Sequence, residues 1–502
     1  MLKIILLFLY SISISLHEGH ALVKDSRPHN SFILLGASGD LSKRKIYPAL
    51  WTLYRDNLLL PNTRFFGFAR TPRSVDYIRN NCEPYVTLRP GEEQLYDEFW
   101  KFNYFVNGTD GGEQDYAVID QFVEKFEDGQ EGNRIFYMAI PPDIFPNASR
   151  FIKKNAMSKR GYTRVVIEKP FGRDSESGKE LADIVEQLYT EDQVYRLDSF
   201  LGYDIVKNLV LLRFGNRIFM PGWNKENVAS VKIDFAEDIG VEGRGNFFDR
   251  NGVIRDVVQN HLLQLLSVIA MDEPASLHPD EIKNAKVELL KSIKEIVMDD
   301  VVIGQYIANP DSKDSKQKIG YRDDPTVPND SITATFSLTI LKIENERWKG
   351  VPFIIRSGKG LNANRNQAII QFKNASKNLF GNQLKRNELV IKLTDPHALE
   401  TKIASKVPGY SNDVENISID VNFSKLHPGI QIPKPYETLI RDVFKGSQSN
   451  FARADELLEA WRIFTPILHE IEEKKIRPIE YKFGSDGPLQ ADEMEKKNNF
   501  LH

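Results

Sequence analysis

Residues 254–263, Ile-Arg-Asp-Val-Val-Gln-Asn-His-Leu-Leu, set an acid, an amide and an imidazole into a mainly apolar run of helical period. On an α-helix Asp256 and Asn260 share a face, and His261 stands about a turn and a half beyond Asp256. A carboxylate against His261 would fix its tautomer and raise its basicity, as a base that takes a proton from a hydroxyl requires. A histidine satisfied within a core fits the same pattern, and helix spacing alone does not separate the two. A second candidate closes a short apolar run, Ile167-Glu168-Lys169-Pro170-Phe171-Gly172. Open α/β sheets bind ligands beyond the carboxyl ends of their strands, so Lys169 is placed to touch both cofactor and substrate. On pattern alone a surface lysine fits as well.

The third candidate is Gly36-Ala37-Ser38-Gly39-Asp40-Leu41, between an apolar strand and a helical segment. Glycines let the backbone turn sharply beside a pyrophosphate, and the N–H groups opening a helix face negative charge. Its G-x-x-G spacing is shorter than the G-x-G-x-x-G fingerprint, so its weight comes from the strand-to-helix junction, and an ordinary turn is the alternative. Arg70 follows the second strand, where an acid suits NAD and an arginine suits the 2′-phosphate of NADP. A solvated surface arginine is the other reading.

These residues need a scaffold. Residues 31–198 alternate apolar strands (32–35, 64–68, 134–140, 164–167) with helical segments such as 41–57, which predicts an α/β Rossmann-type domain over 28–198. From about residue 229 period-two runs appear at 231–235, 332–343, 368–372, 389–393 and 417–423, interrupted by helices at 254–270 and 453–473. That texture predicts an α+β domain over 199–492 with a large, mostly antiparallel sheet.

Composition narrows the partners. The chain has 502 residues, 41% of them hydrophobic and 27% charged, with a formal net charge of −4. That balance gives no footprint for nucleic acid or an anionic membrane. A small anion would need a local basic cluster. No spacing of ligating residues gives a basis for a metal. The start, Met1-Leu2-Lys3 followed by an apolar run and Gly19-His20-Ala21, predicts a cleaved secretory signal over 1–21 and residence in the endoplasmic reticulum lumen or outside the cell. No membrane attachment is then expected after cleavage. Cys82 is alone and excludes an intrachain disulfide. Asn107, Asn147, Asn329, Asn374, Asn416 and Asn422 stand in glycosylation sequons.

Taken together the segments resemble the glucose-6-phosphate dehydrogenase family, from about residue 30 to about 492. The likeness rests on GASGDLSKRKIYPALW (36–51), RVVIEKPFGRD (164–174), GVIRDVVQNHLLQLL (252–266), DDPTVP (323–328), PFIIRSGKGLN (352–362) and IFTPILHEIE (463–472). The resemblance implies oxidation of the C1 hydroxyl of glucose 6-phosphate to the lactone, with hydride passing to NADP, and a homodimer. It implies His261 as general base and Asp198 as the carboxylate that orients it. Asp256 and Glu237 would hold sugar hydroxyls, and Lys169 would bridge sugar and nicotinamide. Lys359 would remain from the basic clamp on the phosphate, with Ser199 and Tyr203 also at the substrate. Gly36, Ser38, Gly39, Asp40, Leu41, Arg70 and Lys169 would hold NADP.

One departure is local. The family's Asp-His-Tyr-Leu-Gly-Lys signature is replaced by Asp198-Ser199-Phe200-Leu201-Gly202-Tyr203. The acid survives, whereas Ser199 and Tyr203 stand where a histidine and a lysine would grip the phosphate. At about 1.5–3 kcal/mol for each charge-assisted hydrogen bond, losing both weakens binding by roughly 10²–10⁴-fold. A dehydrogenase for another or unphosphorylated hexose, and an NADP-binding protein without turnover, are therefore alternatives. Near the C-terminus Lys402 and Lys406 match part of a second nucleotide site found in animal relatives. Glu400 and Asp486 replace an aromatic residue and an arginine of that site, and no second nucleotide is expected.

Overall fold

The computed structural model describes residues 27–108, 111–374 and 384–501, so the leader expected at 1–21 lies outside the described residues. The first sheet contains β1 (His29–Leu35), β2 (Thr63–Ala69), β3 (Asn103–Asn107), β4 (Gly132–Met138), β5 (Thr163–Glu168) and β6 (Val194–Leu197). They run in the order β3-β2-β1-β4-β5-β6 with every pairing parallel. Their side chains explain why both faces are covered. Phe32, Leu34, Phe65, Ile135 and Tyr137 enter one apolar cluster, while the intervening Ile33, Leu35, Phe66, Phe136 and Met138 enter another. A strand apolar on both faces must be sandwiched between helices, which parallel crossovers supply. The order reverses beside β1, and the crevice opens beyond the carboxyl ends of β1 and β4.

The second sheet contains β7 (Val228–Ala236), β8 (Val301–Ile307), β9 (Phe336–Lys342), β10 (Pro352–Gly358), β11 (Arg365–Phe372), β12 (Glu388–Lys392), β13 (Ala398–Lys406), β14 (Val414–Asn422) and β15 (Ile479–Lys482). Its order is β14-β13-β12-β11-β7-β10-β9-β8-β15, antiparallel except for the β7–β10 and β8–β15 pairs. The strand expected over 332–343 is shorter, because the Gln305 amide donates to the carbonyls of Ser331 and Thr333 and holds that approach outside the ladder.

Two devices lock the halves together. Helix Pro435–Lys445, far along the chain, packs Leu439, Ile440, Val443 and Phe444 into the same cluster as Phe32 and Tyr137, so residues 28–198 do not close their own core. The Trp461 indole, on helix Ala454–Glu473, donates to the Phe171 carbonyl at 2.8 Å. That helix is seated on helix Pro279–Lys291 by a buried Lys286–Glu456 ion pair at 2.7 Å. Helix Leu489–Lys497 ends the second domain on the sheet, where buried Glu495 meets Lys232 at 2.8 Å and Arg356 at 3.1 Å. Lys402 pairs with Glu388 at 2.9 Å and Glu400 with Lys392 at 2.5 Å. Among the described residues no helix is long and apolar enough to cross a membrane, and no group of His, Cys, Asp and Glu is arranged to hold a metal ion.

Candidate active site

The glycine turn leaves β1 at the crevice. Gly36 has φ +84°, and a Cβ there would lie 2.1 Å from the Ala139 carbonyl oxygen, so no other residue fits without moving β4. The turn is fixed by Gly36 and Ala37 N–H bonds to the Phe68 carbonyl and by the Ser42 hydroxyl on the Gly36 carbonyl. Ser38 is exposed, and its N–H carries no hydrogen bond among the described residues. Asp40 is exposed too, but its carboxylate turns along the helix to Lys43 and Arg44, and the Gly39 N–H closes the turn on the Gly36 carbonyl at 2.9 Å. The Ser38 N–H and the N–H groups opening the helix are therefore the ones placed to face a ligand. Arg70 is exposed at the end of β2 and forms no ion pair among the described residues. A shaped backbone cradle with a guanidinium beside it that is exposed and unpaired among the described residues fits a phosphorylated dinucleotide.

The reacting groups converge from both domains. β6 is followed directly by Asp198, which is buried and accepts from His261 Nδ1 at 2.6 Å and from the Phe200 N–H at 2.9 Å. Burial pushes its carboxyl up, but the His261 ring and these hydrogen bonds outweigh that and hold it below the ordinary carboxylate range. β5 ends one residue before Lys169, whose Nζ donates to the Asp256 carbonyl at 2.5 Å and its carboxylate at 3.1 Å. Burial raises Asp256, yet the charges of Lys169 and Lys359 win and keep it ionised.

The helix carrying Asp256 and His261 departs from the sequence expectation. Residues Ile254–Leu262 form a π-helical stretch before α-helix Leu263–Ala270 begins. Its i→i+5 hydrogen bonds close a turn over five residues, which brings Asp256 and His261, five apart, toward one side. Asn260 turns inward, donating to the Arg255 carbonyl and accepting the His261 N–H, and so braces the wider turn.

The parallel pair in the second sheet contributes another polar pair. Glu237 follows β7, Lys359 follows β10, and the two side chains form an ion pair. Lys359 is therefore neutralised within the protein. Ser199 and Tyr203 lie on the turn after Asp198, with Phe200 between them. The Phe200 ring stacks on the His261 ring at 4.8 Å with an 11° interplanar angle, which sequence reasoning did not anticipate.

Behind the pair, Glu168 is buried. Tyr137 donates to it at 2.6 Å and Tyr436 also bonds it. Burial pushes its carboxyl up to about 7, against the pull of both hydroxyls and Lys169 and with the help of Asp198. The adjacency of Glu168 to Lys169 was a visible signal, whereas Tyr436, more than two hundred residues on, had none.

The comparisons with known proteins cover the same ground. "Glucose-6-phosphate dehydrogenase, NAD binding domain" matches residues 33–208, and "Glucose-6-phosphate dehydrogenase, C-terminal domain" matches residues 210–501. Glucose-6-phosphate 1-dehydrogenase of Drosophila melanogaster is 48% identical over 478 residues, spanning 95% of this chain and 91% of its own. The protein of the same name from Takifugu rubripes is 46% identical, spanning 94% and 89%. A solved glucose-6-phosphate dehydrogenase in complex with its substrate glucose-6-phosphate superimposes with a TM-score of 0.89 and 38% identity, over 96% of this chain and all of that one. The enzyme from Mycobacterium avium gives 0.81 and 27%. With the Rossmann-type sheet, the nine-stranded sheet and the Asp198–His261 pair at their junction, these matches establish that the chain belongs to the glucose-6-phosphate dehydrogenase family.

Proposed function

We propose that this protein oxidises the C1 hydroxyl of glucose 6-phosphate to the lactone, with NADP as the hydride acceptor. The observation that carries the reading is the buried 2.6 Å contact of His261 Nδ1 with Asp198. A proton on Nδ1, donated to Asp198, leaves Nε2 with its lone pair, ready to take the O1 proton of the sugar. Asp198, held ionised, then stabilises the imidazolium that results. Lys169 is fixed by Asp256 between the end of β5 and the reacting helix, where it orients the sugar. Asp256, paired with Lys169, and Glu237, paired with Lys359, offer carboxylate oxygens to sugar hydroxyls. Gly36, Ser38, Gly39, Asp40, Leu41 and Arg70 would hold NADP, which when bound accepts the C1 hydride at its nicotinamide ring.

A second reading has one observation behind it. The 199–203 turn carries no lysine, and Lys359 is neutralised by Glu237, which suits an unphosphorylated hexose. NADPH production measured with glucose 6-phosphate and with free glucose separates the readings. Turnover on the ester supports the first, turnover on the free sugar alone supports the second, and NADP binding without turnover on either contradicts both.

The same reading includes a cleaved leader at 1–21, residence in the secretory pathway and a homodimer. Support for the dimer is the edge strand β14, whose Ile419 and Val421 are 50% and 39% exposed. Sedimentation of the mature chain tests it, and a monomer at micromolar concentration would refute it. An N-terminus at residue 22 and glycosidase-sensitive mass at exposed Asn416 would support the secretory route, and an intact Met1 on an unglycosylated chain would refute it.

A further inference from the structure

Beyond the reacting pair, a line of rings leads away from His261. Phe200 stacks on His261, Tyr203 meets Phe200 edge-on at 5.6 Å, and His397 meets Tyr203 edge-on at 5.7 Å. His397 belongs to the β12–β13 connection, and its carbonyl accepts the Phe423 N–H at the end of β14. Its backbone is thus tied to the sheet while its ring faces the turn that follows Asp198. His397 Nδ1 is buried and has no hydrogen-bond partner, and its other ring nitrogen makes no hydrogen bond among the described residues. The Tyr203 and Ser199 hydroxyls likewise make none. Burial keeps the Tyr203 phenol protonated, hence a donor. A ring nitrogen withdrawn from water without a partner is costly, and beside two half-buried hydroxyls that make no hydrogen bond among the described residues it suits a ligand rich in acceptors. Asp204, which opens the helix after the turn, is engaged by Lys207 at 2.9 Å, and Asp198, which precedes the turn, is engaged by His261 and the Phe200 N–H.

We infer that His397, with Tyr203 and Ser199, binds the anionic ester of the substrate at the end of the site remote from His261. The inference rests on the proposed substrate class. It gives the phosphate a grip supplied from the β12–β13 connection in place of the residues missing from the 199–203 turn. The imidazole and the two hydroxyls donate to phosphate oxygens, while the sugar's C1 end reaches His261 past the Phe200 ring.

The test is calorimetric titration of glucose 6-phosphate and of free glucose into the full chain, His397→Ala and His397→Gln, with KM and kcat measured alongside. Removing one charge-assisted contact is expected to weaken binding of the ester, and raise its KM, by about tenfold to a hundredfold. kcat and free-glucose binding stay at the parent values, and glutamine restores part of the loss. Unchanged affinity for the ester in a variant with the parent Tm overturns the inference. So does an equal loss with free glucose, which would assign His397 a structural role. Ester binding that depends on His397 without NADPH formation would uphold this inference and remove the proposed reaction. NADPH formation indifferent to His397 would do the reverse.

Discussion

Replacing Asp198 with asparagine keeps the shape of the buried pair and removes its charge. The amide oxygen can still accept the Phe200 N–H now at 2.9 Å from the carboxylate, so the turn stays in place. The contact with His261 Nδ1 at 2.6 Å changes character. Both contacts fall on the same Asp198 oxygen, so an amide oxygen kept there accepts the Nδ1 proton without the charge that stabilises the imidazolium. An amide turned the other way puts its NH₂ on the ring, moves the ring proton to Nε2, takes away the base and gives up the Phe200 N–H bond. Losing the charge-assisted bond alone costs about 1.5–3 kcal/mol, or roughly 10–150-fold in rate. Losing general-base action raises the total to roughly 10²–10⁴-fold. Steady-state kcat and KM for glucose 6-phosphate, with NADP saturating, read the effect. The loss is expected in kcat, with NADP affinity and Tm close to the parent values because Asp198 lies away from the glycine turn. A folded variant that loses less than about tenfold in kcat would refute the assignment of Asp198 as the positioning carboxylate and of His261 as base.

Gly36→Ala sets a Cβ 2.1 Å from the Ala139 carbonyl at φ +84°, so the turn must shift. Strain of about 1–3 kcal/mol in denaturant unfolding and loss of NADP binding by fluorescence are expected, and normal binding would remove the turn from the cofactor site. Burial pushes the Glu168 carboxyl up to about 7 in the fold, against roughly 4.3 for a glutamate in the unfolded chain, so the native state holds the extra proton between these pH values. Stability therefore falls as pH rises through that window and levels off above it. Glu168→Gln should remove that slope from Tm measured across the window, and an unchanged slope would contradict the burial argument. Glu495→Ala leaves Lys232 buried without its acid, while Arg356 keeps Asp492 at 2.7 Å, with a cost of about 3–5 kcal/mol in unfolding free energy. A change below about 1 kcal/mol would mean that water replaces the carboxylate.

Much of the scaffold is legible in the sequence because burial writes a period into it. β1, β2, β4 and β5 are apolar on both faces and stand out as parallel strands, and β7, β11, β12 and β14 carry period-two alternation. β3 and β6 are harder to see. β3 is five residues flanked by asparagines at the sheet edge, and β6 is four residues whose Arg196 pairs with Glu191 at 2.7 Å. Their strand character comes from neighbours.

At the site, Gly36 and Lys169 are legible because local chemistry demands them, one a left-handed turn and the other a strand end. His261 is legible as a candidate base, but its partner is not, since Asp198 stands 63 residues away and meets it only through the tertiary fold. The π-helical turn that draws Asp256 and His261 toward one side has no marker that period counting detects. Likewise the Tyr203–His397 contact joins segments far apart in the chain.

The most direct test follows deuterium from C1 of [1-²H]glucose 6-phosphate in the presence of NADP, with the mature chain and with His261→Ala. Deuterium is expected on the reduced nucleotide with the parent chain and is expected to be lost with the variant although NADP still binds. Bound NADP without label transfer from the parent chain would contradict the proposed reaction, and so would transfer that survives removal of His261.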